Sequence, residues 1–285
     1  MLSLLMPLVI FFDCYSQSVE SSLLWEITGN GLEKPSFVFG TIHIICPEDL
    51  KLSPVIEKSV EKSELVVMEL DMDDPRFMAD MQRVSFNEDM KNISSDIMPE
   101  DLVLIDDFLE KNYHTEMTQV GILKPMALMS MVMLKSYNCP TIKSVEEFVL
   151  RFAAKNEIEI KGLETVDDQM GIFDEIPQEE QIAWIVEMIK DSTGTLENVI
   201  KFTNAYVMGD INAIYRLSQE TYPGMMAYEE ELLIRRNMNW IPKIREFIHE
   251  KPTFFAVGAG HLGGVKGILK LLEEKGYTVT AVSMD

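Results

Sequence analysis

Ser36-Phe-Val-Phe-Gly-Thr-Ile-His43 and Phe254-Phe-Ala-Val-Gly-Ala-Gly-His261 carry an apolar strand, a glycine and a histidine in the same register, more than two hundred residues apart. The segments downstream of the two stretches are also alike. After the first, Pro54 opens a helix behind Ser53 that runs to about Ser63, and Leu65-Val-Val-Met-Glu-Leu-Asp71 reads as a buried strand. After the second, a helix from Gly264 to Lys275 is capped by Gly276 and leads into Tyr277-Thr-Val-Thr-Ala-Val282. Strand, helix, strand is a βαβ unit with a parallel pair and a right-handed crossover. Ahead of the first unit, Leu24-Trp-Glu-Ile27 alternates like a strand, and Asn30-Gly31 supplies hairpin chemistry.

Working outward, helical patterns fill the middle of the chain. They cover Asp101 to Asn112, Lys124 to Tyr137, Val145 to Asn156, Glu179 to Lys190, Leu196 to Met208 and Tyr228 to Glu250. One interruption, Glu157-Ile-Glu-Ile160, alternates with period two and predicts a further strand ending at Gly162. The expected fold is therefore α/β. Two related βαβ half-units form a mixed, largely parallel sheet, and a large helical insertion, about residues 73–251, separates them. Met126-Ala-Leu-Met-Ser-Met-Val-Met133 reads as gap-filling core rather than a thioether site, since unbranched methionine packs irregular helical interiors.

The 285 residues hold 25 Lys+Arg against 47 Asp+Glu, a net charge of −22, which argues against nucleic acid and anionic bilayers as partners. A hydrophobic content of 47% with 25% charged residues is that of a globular chain with a sizeable core. Beyond the first dozen residues no apolar run is long enough to cross a bilayer, so membrane contact is expected only through the N-terminal segment. Met1 to Phe12 has the length of a signal-peptide core, although no basic residue precedes it; a buried N-terminal segment is the competing reading. Residues 1–22 are expected to be a signal peptide or anchor, with Cys14 open to lipidation. Export would place the protein in a periplasmic or extracellular space, where Cys46 and Cys139 can be joined. Oligomeric state is not readable.

Ligands gather at the carboxyl ends of parallel strands. His43 and His261 both follow a strand, three residues past a glycine, and can converge there from opposite ends of the chain. Glu69 interrupts an apolar run at a similar strand end and, if buried, needs a partner or a cation. Glu164, after Gly162, is a fourth candidate. Two imidazoles and a carboxylate suit a divalent metal with an open position, or metal-free acid/base work. In Arg235-Arg236-Asn237 the fork and amide donors suit an oxyanion, while pairing with neighbouring glutamates on a solvated helix face is the local alternative. His114 and His249 lie on polar helical stretches and read as solvated. Gly258-Ala-Gly260-His-Leu-Gly263 has a dinucleotide-loop spacing, but no further strands follow to build the domain that such a loop serves.

Together these residues resemble the TraB/GumN family, which embraces the Tiki-type proteases. The resemblance rests on Phe39-Gly-Thr-Ile-His43, Glu69-Leu-Asp71 with Asp74-Pro75, Lys124-Pro125, Gly162-Leu-Glu-Thr165 with Gln169, Arg236-Asn237 with Trp240, and Phe255 to Leu262 through Gly276-Tyr277. It covers residues 23–285 as one such domain. It implies an exported metal-dependent hydrolase of the Tiki-like peptidase type, with a divalent ion such as Mn, Co or Zn on His43, Glu69 and His261. Glu69 would be ligand or general base, Arg236 or Asn237 would steady an oxyanion, and Glu164 would assist. A metal-free hydrolase resembling the erythromycin esterase group, and a protein that sequesters a peptide or small molecule without turnover, stand as alternatives.

Overall fold

In the computed structural model the described residues are 22–221 and 223–284. The expected N-terminal leader and Cys14 lie outside them. Six strands form one sheet: β1 (Leu24–Thr28), β2 (Ser36–Thr41), β3 (Leu65–Met68), β4 (Ile160–Gly162), β5 (Thr253–Gly258) and β6 (Thr278–Ala281), in the order β4-β3-β5-β2-β1-β6. β4, β3, β5 and β2 run parallel, and β1 is antiparallel to both β2 and β6. The sheet is therefore mixed and mostly parallel, as the alternating grammar of the sequence requires.

The half-units do not stand side by side. β5 inserts between β2 and β3, pairing Val38 with Phe255 on one flank and Val66 with Phe254 on the other. This interleaving buries the central strands on both faces, which explains their continuous apolar runs: Phe37, Phe39, Phe254 and Phe255 are all buried. Gly40 is needed at the seam. A Cβ there would meet Leu262 Cδ1 at 2.9 Å and Ala259 Cβ at 3.0 Å, so the glycine permits close approach of the β5 loop rather than a sharp turn.

The helical insertion has an apolar cluster of its own, in which Met129 and Val132 of helix Pro125–Lys135 pack with Ile185 and Met188 of helix Gln178–Lys190. The methionine run is thus core. Cys46 and Cys139 form a disulfide with Cα atoms 6.0 Å apart. Beside it, Ile45 and Lys143 exchange backbone hydrogen bonds of 3.0 and 2.8 Å. Among the described residues no helix is long and apolar enough to cross a membrane.

Candidate functional site

Because β2, β3, β4 and β5 are parallel, their carboxyl ends share one edge of the sheet. The residues just beyond those ends are His43, Glu69, Glu164 and His261, respectively. The β3–β4 ladder continues past the strands, Glu164 N–H donating to the Glu69 carbonyl at 3.0 Å, and this sets the two glutamates side by side. Helix Arg235–Glu250 crosses above, entered through a single π turn, Glu230–Ile234. Such a turn adds a residue to the helical circuit and re-aims the residues after it. Arg236, Asn237 and Trp240 thereby face the sheet edge, whereas Arg235 pairs with Glu175 at the surface. The local expectation that Arg236 lies on a solvated face fails because tertiary packing, not the neighbouring glutamates, sets its direction.

Arg236 is the hub. Its Nη2 donates to Glu69 Oε2 at 2.6 Å and to Glu164 Oε1 at 2.6 Å. Its Nη1 donates to the Leu232 carbonyl at 3.1 Å and lies 3.1 Å from His261 Nε2. Gln169, one turn into helix Val166–Asp174, donates to both glutamates at 2.8 and 2.9 Å. Trp240 Nε1 donates to Glu164 Oε2 at 3.0 Å, and the indole lies against the His261 ring. The remaining Glu69 oxygen, Oε1, accepts from Gly258 N–H at 2.7 Å and lies 3.8 Å from His261 Nε2. A Cβ on Gly258 would come within 3.1 Å of that oxygen.

Asn237 is fully engaged by the β5 loop. Its Oδ1 lies 2.7 Å from His261 Nδ1, and its Nδ2 donates to the Lys266 carbonyl at 2.9 Å. Asn237 thus anchors the His261 ring, and its amide N–H groups lie at the His261 and Lys266 carbonyls. His43 stands across the site. Its side chain is 71% exposed, and Nδ1 lies 2.8 Å from Oε1 of Glu146 in helix Val145–Lys155. Beside the pair opens a cavity of about 280 Å³, lined by polar Thr41, His43, Glu69, Glu146 and Gln169 and by apolar Met68, Leu70, Met72 and Phe77. Thr41 Oγ1 and Glu146 Oε1, both on this cavity, are buried oxygens without an aligned hydrogen bond.

The electrostatics follow from this layout. Burial pushes Glu69 up, but His261, Arg236 and His43 outweigh it and hold the carboxyl at about 2. Burial, reinforced by Arg236, pushes His261 down to about 3, so its ring is neutral near pH 7. Glu146, by its hydrogen bond and its charge, raises His43 to about 9.

The donor chemistry suits a divalent cation. Each imidazole has Nδ1 at an oxygen acceptor, the usual support behind a metal-binding histidine, but Nε2 of His261 already lies 3.1 Å from Arg236 Nη1 and would serve a cation only with that guanidinium withdrawn. The charge suits it as well. Glu69, Glu164 and Glu146 stand against the guanidinium of Arg236 and the raised His43, so the site keeps one excess negative charge, and two once the His43 ring loses its proton. The spacing is more open: among the described residues no three His, Cys, Asp or Glu side chains are gathered closely enough to hold an ion. Arg236 stands where it neutralises Glu69 and faces His261 Nε2.

Of the residues singled out in the sequence, Glu69, Glu164, Arg236, Asn237 and His261 meet in one network, and His43 lies across the cavity from it. His114 and His249 are exposed and outside it. Glu146 escapes a reading of the sequence. Ser144-Val-Glu-Glu147 signals only a helix start, and nothing in it shows that the first of its two glutamates turns inward.

The sequence profile of the TraB/PrgY/gumN family matches residues 23–281. Curated relatives include Metalloprotease TIKI1 of Danio rerio, 23% identical over 316 residues, covering 92% of this chain and 63% of the relative. Metalloprotease TIKI1 of Xenopus tropicalis is 22% identical over 324 residues, covering 92% of this chain and 62% of the relative. The chain therefore spans less than two thirds of the length of these relatives. No solved structure matches it significantly.

Proposed function

The chain belongs to the TraB/PrgY/gumN family, and from that premise we propose that it is a metal-dependent hydrolase acting on peptide bonds at the carboxyl edge of the sheet. One observation carries the reading: Glu69 Oε1 and His261 Nε2 lie 3.8 Å apart at the sheet edge, and His43 borders the same cavity as Glu69. The name of the relatives, metalloprotease, supports it. His43, Glu69 and His261 are the proposed ligands; as they stand they are too far apart to share an ion, so holding one would require His43 to close on the other two. When bound, a divalent cation supplies Lewis-acid polarisation of an amide carbonyl.

The chain's own residues do the rest. Asn237 orients the His261 ring, and Gly258 keeps Glu69 Oε1 accessible by having no side chain. Arg236 and Gln169 fix Glu69 Oε2 and keep Glu164 from repelling it. Met72 and Phe77 line the cavity with apolar surface that limits water around the reacting group. Export to a periplasmic or extracellular space belongs to the same proposal and agrees with the Cys46–Cys139 bridge.

A second reading draws on the exposed His43 ring beside Glu146, a pair able to move a proton without a metal. The test separates the two. Chelator-treated protein is titrated with Zn, Mn or Co by calorimetry, and cleavage of a mixed peptide pool is followed by mass spectrometry before and after metal is restored. Metal binding that is stoichiometric in the wild type and markedly weakened in both His43→Ala and His261→Ala, with metal-dependent cleavage, is the expected result. Cleavage that survives exhaustive chelation favours the second reading. No binding and no cleavage in either condition would overturn both.

A further inference from the structure

Glu146 has no role in the reaction as laid out by the sequence motifs, yet its placement is costly. It lies in the first turn of helix Val145–Lys155, where a glutamate ordinarily reaches into water, and it is 6% exposed. Burying a carboxylate costs several kcal/mol unless charge and hydrogen bonds offset it. Ser144, the N-cap residue, donates its hydroxyl to Glu146 Oε2 at 2.6 Å and so fixes one oxygen. The other, Oε1, is held against His43 Nδ1 at 2.8 Å and has no aligned hydrogen bond besides. A carboxylate needed only to cap the helix has no reason to leave one oxygen for an imidazole whose far side is open to the cavity.

The backbone on either side of the pair is cross-linked. The segment after His43 and the segment before Glu146 are joined by the Ile45–Lys143 bridge, by a hydrogen bond of 3.3 Å from Val145 N–H to the Ile42 carbonyl, and by the Cys46–Cys139 disulfide. These ties link the loop after β2 to a helix about one hundred residues away in sequence. Their common effect is to fix the distance between two side chains at the mouth of the cavity.

We propose that Glu146 is the positioning residue of His43. It holds the ring by Nδ1 and presents Nε2 to the cavity, and the Cys46–Cys139 latch keeps the two segments in register. The inference rests on the reading of His43 as a working residue of the site. It does not depend on whether Nε2 meets a cation or a substrate proton.

The test uses the whole chain, metal-free, with 15N-labelled histidine, and reads the ring nitrogens of His43 by NMR, assigned with His43→Ala. Above about pH 9, where the wild-type ring is neutral, its proton is expected on Nδ1 with a single ring environment. In Glu146→Gln the signature should relax toward the mixed tautomers of a free imidazole, while the His261 ring signals stay in place. Glu146→Asp, which keeps the charge but withdraws it by one methylene, is the second variant and should lie between the two. An unchanged His43 signature in both folded variants overturns the proposal.

Zinc titration of the same proteins is a separate arm. Glu146→Gln is expected to weaken binding about 10-fold to 100-fold. Added to His43→Ala it should weaken binding no further, because Glu146 acts through that ring. A full additional loss in the double variant also overturns the proposal. If the wild type binds no zinc while the ring signatures differ as expected, the metal reading falls and the positioning role stands.

Discussion

Replacing Arg236 by methionine removes the one cation between two buried carboxylates and leaves Gln169 as their remaining shared donor. Breaking one side of a buried ion pair costs about 3 to 5 kcal/mol, because the surviving charge is left desolvated. The native cluster gives a consistent figure. Glu69 is held at about 2 against an ordinary 4.5 and is buried, so at about 1.4 kcal/mol per pH unit its interactions contribute about 3 kcal/mol near neutrality. Its folded pKa is depressed, so that stability is present above 4.5 and is lost as pH falls toward 2. His261, held at about 3, acts in the same direction, since between pH 6.5 and 3 the unfolded chain binds a proton that the folded chain refuses. Without Arg236 the sign for Glu69 reverses: burial then favours its protonated form, its folded pKa rises above the ordinary 4.5, and the variant gains stability relative to the unfolded chain as pH falls. Urea unfolding of chelator-treated wild type and Arg236→Met, from pH 8 to 5, measures this. The stability gap should be about 3 kcal/mol or more at pH 8 and narrow as pH falls. A gap below about 1 kcal/mol, or one that does not change with pH, would refute the account of Arg236 as the neutralising hub.

The other expectations concern the supports of the site. Serine at both Cys46 and Cys139 should lower stability by about 2 to 4 kcal/mol, as expected for a bridge closing a long loop, and thermal unfolding of the oxidised wild type beside the variant checks it. Gly258→Ala brings a methyl within 3.1 Å of Glu69 Oε1, so the carboxylate must yield. A loss of about 1 kcal/mol with a larger loss of zinc affinity is expected, and unchanged affinity by calorimetry would count against Glu69 as a ligand. Trp240→Phe keeps the ring but removes the donor to Glu164 Oε2, a loss of about 1 to 3 kcal/mol by urea unfolding. His43 is raised to about 9 by Glu146, so its pairing stabilises fully below pH 6.5 and fades as pH rises toward 9. Solvent reaches most of the ring, which screens the effect to about 1 kcal/mol, read as the difference between wild type and His43→Gln across that window.

The range of each interaction decides which parts of this molecule are legible in the sequence. The strands at Leu24, Ser36, Leu65, Thr253 and Tyr277 are readable because their alternation or continuous apolarity is local, and strand ends marked by Gly-x-x-His locate two site residues at once. The strand order is not, because β5 enters between β2 and β3 from the far end of the chain and no local signal records that. The glycines read as turn formers. Gly40 and Gly258 instead have ordinary negative φ and serve by lacking a Cβ where another chain segment or the Glu69 carboxylate passes. The dinucleotide-like spacing fails for a local reason as well: after Gly258 the chain makes a single 3₁₀ turn, Ala259–His261, and the next helix begins only at Ile268, so no helix N-terminus faces the loop.

Arg236 and Glu146 mark the limit of sequence reading more sharply, since each has nearby opposite or like charges that supply a sufficient local explanation. Arg236 follows three glutamates and Glu146 precedes a fourth, and helical spacing alone assigns both to solvated faces. What turns them inward is a π turn in one case and a backbone bridge with a disulfide in the other. The π turn shifts the helical phase of Arg236, and the bridge and disulfide tie the start of the Glu146 helix to the segment after His43; neither leaves a local compositional mark. Residues whose direction is set in this way are visible only when the partner they turn toward is known, and here that partner is the shared carboxyl edge of four strands drawn from three distant parts of the chain.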